Sequence, residues 1–214
     1  MEKNYADVLE SYLIPAEEGF GNFLKGVKDK ILKFIKWVIN KCKELGQKIT
    51  SKLRKPKQKE SEVKADNAEP KLMSIDEVRK RFREMGIYKS IKEGLTIFRK
   101  DYLSHVLENI KSERTDEETP FRGIDHLQDA FVNIRSFNVK NIVGVCLELP
   151  ERIDIMEGIN DVTKTATSLL EQLQQMVERT PETDENKEHL RVINSHVTQV
   201  SKIMPVINTL ESFL

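Results

Sequence analysis

Hydrophobic residues recur along most of this chain at spacings of three and four, the period of an amphipathic α-helix. The first stripe is the most sharply drawn. Phe20, Phe23, Leu24, Val27, Ile31, Phe34, Ile35, Val38, Cys42, Leu45, Ile49 and Leu53 fall within an arc of roughly 120° when placed about 100° apart. Leu32, Trp37 and Ile39 flank the arc. The spacing predicts a helix over 20–53, about 51 Å long at 1.5 Å per residue. Gly26 and Gly46 are the points at which it would bend or fray.

Further stripes follow. Ser74-Ile75-Asp76-Glu77 reads as a capping box, in which Ser74 and Glu77 satisfy free amides reciprocally. Ile75, Val78, Phe82 and Met85 continue inward until Gly86 interrupts. Ile91, Leu95, Phe98, Tyr102, Val106 and Ile110 form a longer stripe, and Ile124, Leu127, Phe131 and Ile134 another. Residues 139–149 are apolar and β-branched, compatible with a buried helix or a short strand. Helix, or loop and helix, is favoured because no partner strand is evident, and Pro150 marks a boundary. Ile155, Ile159, Val162, Ala166, Leu169, Leu173 and Met176 precede a turn at 180–186. Leu190, Ile193, Val197, Val200, Ile203, Ile207 and Leu210 follow it, with Pro205 expected to kink that helix or begin a new turn. The last two stripes read as an antiparallel helical hairpin. The fold class is therefore all-α: a long basic amphipathic helix, a flexible linker over 54–73, and a helical bundle over 74–214. The linker is rich in charge and bounded by Pro56 and Pro70, too polar to order itself.

Charge sharpens this division. The chain holds 35 basic and 35 acidic residues, yet they are unevenly placed. Residues 1–19 carry −4, residues 20–55 carry +9 from eleven bases and two acids, residues 56–73 are neutral, and 74–214 carry −5. Such a block on a neutral chain implies a localised electrostatic role. Lys28, Lys33, Lys36 and Lys41 lie on or beside the polar side of the first helix, and Trp37 edges its apolar arc. Apolar runs here, such as Trp37-Val38-Ile39, reach three residues, against about 20 for a membrane span. A helix of this kind lies in the plane of an anionic membrane surface. The surface-binding set is then Phe20, Phe23, Leu24, Val27, Lys28, Ile31, Lys33, Phe34, Ile35, Lys36, Trp37, Val38 and Lys41. Two alternatives share the pattern. The arc can pack in cis or in an oligomer, making the protein a helical scaffold. The lysines can also neutralise nucleic-acid phosphates non-specifically, although residues 20–53 contain no arginine for bidentate base contacts.

Motifs for catalysis are not found. Phosphate-loop, dinucleotide and nucleophile-elbow patterns are missing. His189 and His196 are seven residues apart on one predicted helix, about 10.5 Å along the axis and too far to share one zinc. Cys42 and Cys146 do not make a disulfide framework. The expectation is a non-enzymatic protein without cofactor, metal or small-molecule substrate. No secretory signal or arginine-rich transit peptide is seen at the start of the sequence, so cytoplasmic synthesis is expected.

Ala16-Glu17-Glu18-Gly19 resembles the small-x-Glu, then Gly or Ala, sites cut by prohead proteases of large tailed bacteriophages. The plan of the first 55 residues, an acidic lead followed by a Lys/Phe/Ile amphipathic segment, resembles that of internal virion proteins of such phages. The resemblance implies a virion interior, a capsid partner, and cleavage between Glu18 and Gly19 that removes the acidic lead 1–18 and releases the basic helix from it; a membrane-peripheral setting or self-association is what the amphipathic helix itself leads one to expect. Amino-terminal sequencing of the mature protein from its native source is therefore expected to begin GFGNFLKG; a mature chain starting at Met1 or Glu2 contradicts processing.

Overall fold

The structure is a computed structural model that describes residues 26–54, 74–111, 124–137 and 142–214. The acidic lead with Glu18 and Gly19, the residues Phe20, Phe23 and Leu24, and linker positions 55–73 lie outside the described residues. Among those described, regular structure is entirely helical. The helices are α1 (Val27–Arg54), α2 (Ile75–Glu84), α3 (Ile87–Ile97), α4 (His105–Lys111), α5 (Ile124–Arg135), α6 (Ile142–Cys146), α7 (Leu149–Arg179) and α8 (Lys187–Phe213). A π-helical stretch, Phe98–Ser104, joins α3 to α4, and a 3-10 turn, Asp184–Asn186, leads into α8.

Local chemistry sets several boundaries. Gly26 has φ +88° immediately before α1, a conformation only glycine takes without strain, and the described helix starts at Val27. The capping box forms as expected: Ser74 N–H donates to Glu77 Oε2 at 2.8 Å, and Ser74 Oγ accepts from Glu77 N–H at 3.2 Å. Gly86, at φ +61°, makes the corner between α2 and α3. Residues 142–146 are helical. Pro150 lies in the first turn of α7, where its missing N–H costs nothing. Pro205 does not begin a new helix; α8 continues through it from Lys187 to Phe213. Ile75, expected inward, is 45% exposed at the first position of α2, and Val177 rather than Met176 is buried near the end of α7.

The π-helical stretch answers a drift in the sequence. Phe98, Tyr102, Val106 and Ile110 step by four, which on a 3.6-residue helix rotates the stripe by about 40° per turn. Bonding from i to i+5 places more residues in each turn, and Phe98, Tyr102 and Val106 all stay buried.

The centre of the molecule is α7, covered on three sides. On one flank α1 runs antiparallel to it: Lys28 meets residues 178–182, Lys43 meets Glu171, and Gly46 faces Thr163. On the other flank α3 runs parallel to it, with Lys92 on Asp154, Leu95 on Gly158 and Arg99 on Asp161. The third side belongs to α8, which is parallel to α1, as Cys42–Met204 and Lys52–Glu211 show. Only a strip including Glu157, Lys164, Ser168 and Gln175 faces outward from α7. Helix α5 packs on α3, and α6 packs on α2.

This arrangement corrects the expected separation of a leading helix from a distinct 74–214 bundle. Val27, Ile31, Phe34, Ile35, Val38, Ile39, Cys42, Leu45 and Ile49 belong to one core with the inward residues of α7 and α8. Met156, Thr163 and Leu170 are also buried, and they lie off the stripe that pairs α7 with α8. Their cover is α1: Gly46 approaches so closely that a Cβ there would stand 3.4 Å from Thr163 Oγ1. Truncating a fully buried phenylalanine costs about 3–5 kcal/mol. Urea denaturation of Phe34→Ala is expected to show a loss of that size, while Lys33→Ala, on the opposite face, stays within about 0.5 kcal/mol. Equal stability of the two variants contradicts the docked arrangement.

Candidate anionic-partner surface

Helix α1 carries nine bases, Lys28, Lys30, Lys33, Lys36, Lys41, Lys43, Lys48, Lys52 and Arg54, against Asp29 and Glu44, for a net +7. Because the apolar arc turns into the bundle, the charged side turns to solvent. The fold then divides these bases into two groups.

The first group works in cis. Lys28 Nζ donates to the backbone oxygens of Glu178, at 2.8 Å, and Thr180, at 3.0 Å, while its N–H donates to Glu182 Oε1 at 2.8 Å. It therefore occupies the carbonyl end of α7, where a cation is favoured by the helix dipole and by acceptors without helical partners. Lys43 pairs with Glu171 at 3.0 Å. Lys52 reaches both the Glu211 carboxylate and the Glu211 backbone oxygen at 2.7 Å. That carboxylate is 10% exposed, so the pair is screened less than a surface pair. Lys41 pairs with Glu44 one turn along α1, at 2.9 Å.

The second group is Lys30, Lys33, Lys36, Lys48 and Arg54, all exposed and without an acid partner among the described residues. Lys30, Lys33 and Lys36 fall within two turns, so the uncompensated charge concentrates toward the start of α1. Trp37 is half-buried beside them, its ring stacked on Phe34 with centroids 6.1 Å apart and planes at 19°. Four residues to either side along the helix stand Lys33 and Lys41, neighbours on one face.

The surface-binding set read from sequence is thus split. Lys33 and Lys36 are exposed, Trp37 and Lys41 are half-buried at the surface, and Lys28 is engaged at the end of α7. Val27, Ile31, Phe34, Ile35 and Val38 are buried in the core. In this fold the five are closed off from solvent, and of the set's described residues the lysines and Trp37 are the ones that reach it. Lys30 and Lys48, which the helical projection also puts on the polar side, are exposed but stand outside that set. Sequence reasoning missed Glu171, Glu178, Glu182 and Glu211, the carboxylates and carbonyls that hold lysines in cis. Their part depends on how α7 and α8 lie against α1, which no local pattern reveals.

Other polar clusters serve the fold. Tyr88 Oη donates to Asp154 Oδ2 at 2.5 Å, and Lys92 Nζ approaches the same oxygen at 2.8 Å. Lys92 and then Tyr88 hold the Asp154 carboxyl below its ordinary value, and the Tyr88 phenol is pushed up, chiefly by its bond to Asp154. With Arg99–Asp161, at 2.7 Å, this cluster fixes α3 against α7. Burial pushes the Cys42 thiol up to about 12 and the Cys146 thiol up to about 11, so both stay protonated and poorly nucleophilic. No three His, Cys, Asp or Glu side chains converge as metal ligands among the described residues. No helix among them is long and apolar enough to cross a membrane. No protein-family model, curated protein or solved structure matches the chain, so a function has to be argued from its own residues.

One titratable group couples the bundle to pH. His196 Nδ1 lies 3.2 Å from Tyr102 Oη, and burial lowers the imidazole below its ordinary value. The unfolded chain, with a histidine near 6.5, therefore takes up the proton first as pH falls. The stability from neutral His196 is fully present above about pH 6.5 and is lost as pH drops through the folded value. Urea midpoints are expected to fall between pH 7.5 and 5.5, and His196→Gln is expected to flatten that fall. A midpoint that stays constant across this range contradicts the coupling.

Proposed function

We propose that this is a non-enzymatic interaction protein that associates with an anionic surface, a lipid membrane foremost, through the outward lysine face of α1. The observation that carries the reading is the partition of the bases. Lys30, Lys33 and Lys36 stand exposed, close together and without acid partners among the described residues, while other lysines of the same helix are satisfied in cis. A cluster left uncompensated on a chain of zero net charge concentrates the attraction in one place. The reading calls for no metal, cofactor or small-molecule substrate.

The scaffold alternative draws support from the burial of the apolar arc, which gives α1 a structural use independent of any partner. The phage-interior setting rests on the resemblance around Ala16–Gly19 and is proposed on that ground alone. It would place the lysine face beside packaged nucleic acid as well as membrane.

Vesicle flotation tests the proposal. Binding of the full chain is expected to rise with the fraction of anionic lipid and to weaken with salt. Each base near such a surface contributes roughly 1 kcal/mol. Lys30→Ala, Lys33→Ala and Lys36→Ala combined therefore lose about 3 kcal/mol, two orders of magnitude in partitioning, with unchanged thermal stability. Equal failure on neutral and anionic vesicles sinks the membrane reading. Salt-sensitive retention on duplex DNA with no flotation favours the nucleic-acid alternative, and failure on both leaves the scaffold.

A further inference from the structure

Resting on that reading, we propose that the intact bundle docks on an anionic bilayer with α1 still in place, and that Trp37 is the interfacial anchor at the centre of the lysine patch. A cationic amphipathic helix met as a sequence suggests insertion of its apolar arc between lipids. The fold argues for the other mode. The arc is nearly inaccessible, with Ile35, Val38 and Ile49 at 0% exposure, and the walls it meets on α7 and α8 are themselves apolar. Pulling α1 out would strip both surfaces, and the bilayer could cover only one of them. Lys28, Lys43 and Lys52 would also leave Thr180, Glu171 and Glu211. Contact through the already exposed side breaks none of these interactions.

Trp37 is suited to that contact. Its ring rests on Phe34, which is 1% exposed and part of the core, so the indole is anchored from below. Trp37 is half-buried, and Lys33 and Lys41 lie one turn to either side of it along α1. An indole held with an apolar body and a polar N–H favours the headgroup level of a bilayer. Lysine stems beside it can lie on apolar surface while their ammonium groups reach phosphates. A duplex backbone would satisfy the ammonium groups but offer the indole no apolar layer, which favours lipid as the occupant. Of the two acids on α1, Glu44 is paired with Lys41 and Asp29 stands exposed in the first turn, four residues before Lys33.

Trp37 is the only tryptophan in the chain, so the wild-type protein reports on itself. The full chain is mixed with vesicles of phosphatidylglycerol and phosphatidylcholine, and with pure phosphatidylcholine as control. Flotation, Trp37 emission, quenching by lipids brominated at shallow or deep positions, and amide hydrogen exchange over 27–54 are measured on the same samples. The expected result is flotation with the anionic vesicles, a blue shift, stronger quenching from shallow positions, and amide protection in α1 equal to that of the free protein. Trp37→Gln is expected to bind on the order of tenfold more weakly, equivalent to about 1.4 kcal/mol, with α1 protection retained. Absence of flotation overturns both this inference and the function it rests on. Flotation with unchanged Trp37 emission leaves the lysine reading intact and overturns the anchor. Flotation with deep quenching and lost α1 protection overturns docking of the intact bundle. A Trp37 response to duplex DNA and not to vesicles overturns the choice of lipid.

Discussion

The contact between α1 and α7 is the constraint on which the rest depends. Two long helices, α7 and α8, cannot bury the residues that α7 carries on three sides. The side that includes Thr163 and Leu170 needs a third helix, and the side that includes Gly158 needs a fourth. The first need is met by α1, brought close by a glycine at position 46 that lies against Thr163 Oγ1. The second is met by α3, where a Cβ added at Gly158 would stand 3.2 Å from Leu95 Cδ1. At both glycines a side chain of the facing helix, Thr163 or Leu95, lies against the position that a Cβ would take. Around them the ion pairs set register more than strength, since exposed pairs contribute little.

Helix by helix, much of this was legible. Of the stripes expected at 20–53, 91–110, 155–176 and 190–210, the described positions face the core, except that Val177 takes the buried place expected of Met176, because burial selects the same residues that the 3.6 period exposes. The capping box at Ser74 and the corner at Gly86 were readable because their chemistry is local. What could not be read was which helix neighbours which. The lysine-only outer side of α1 pointed to an outside partner for its inner side, but the two sides answer to different environments. The inner one is decided by α7 and α8, more than a hundred residues away. Met156 and Leu170, outside the stripe that pairs α7 with α8, were the available signal that a further helix was needed. The π-helical stretch had a quieter signal, a stripe stepping by four, and Pro205 stays within α8 because a single missing hydrogen bond does not end a helix held by its neighbours.

The candidate surface shows the same limit in electrostatic form. Sequence places the lysines on one side of a helix, yet their availability is a tertiary property. Lys28 looks like its neighbours in sequence and differs from Lys30 only in being turned toward the carbonyl end of α7. A basic helix is thus used twice, its flanks to hold the fold and its outer rows to face solvent.

The register of α1 also has a consequence in time. Its contacts close over long stretches of chain, 128 residues between Lys43 and Glu171 and 162 between Cys42 and Met204. During synthesis at roughly 5–20 residues per second, α1 emerges first and waits on the order of ten seconds for α7 and α8 to be made. Throughout that interval its apolar arc has no wall to meet, and nascent chains on neighbouring ribosomes present the same arc. Nine bases on a 28-residue helix make such copies repel one another, the gatekeeping that like charge provides to an unavoidable hydrophobic segment. The lysines of α1 therefore protect the unfinished chain before they are available to any partner of the finished one.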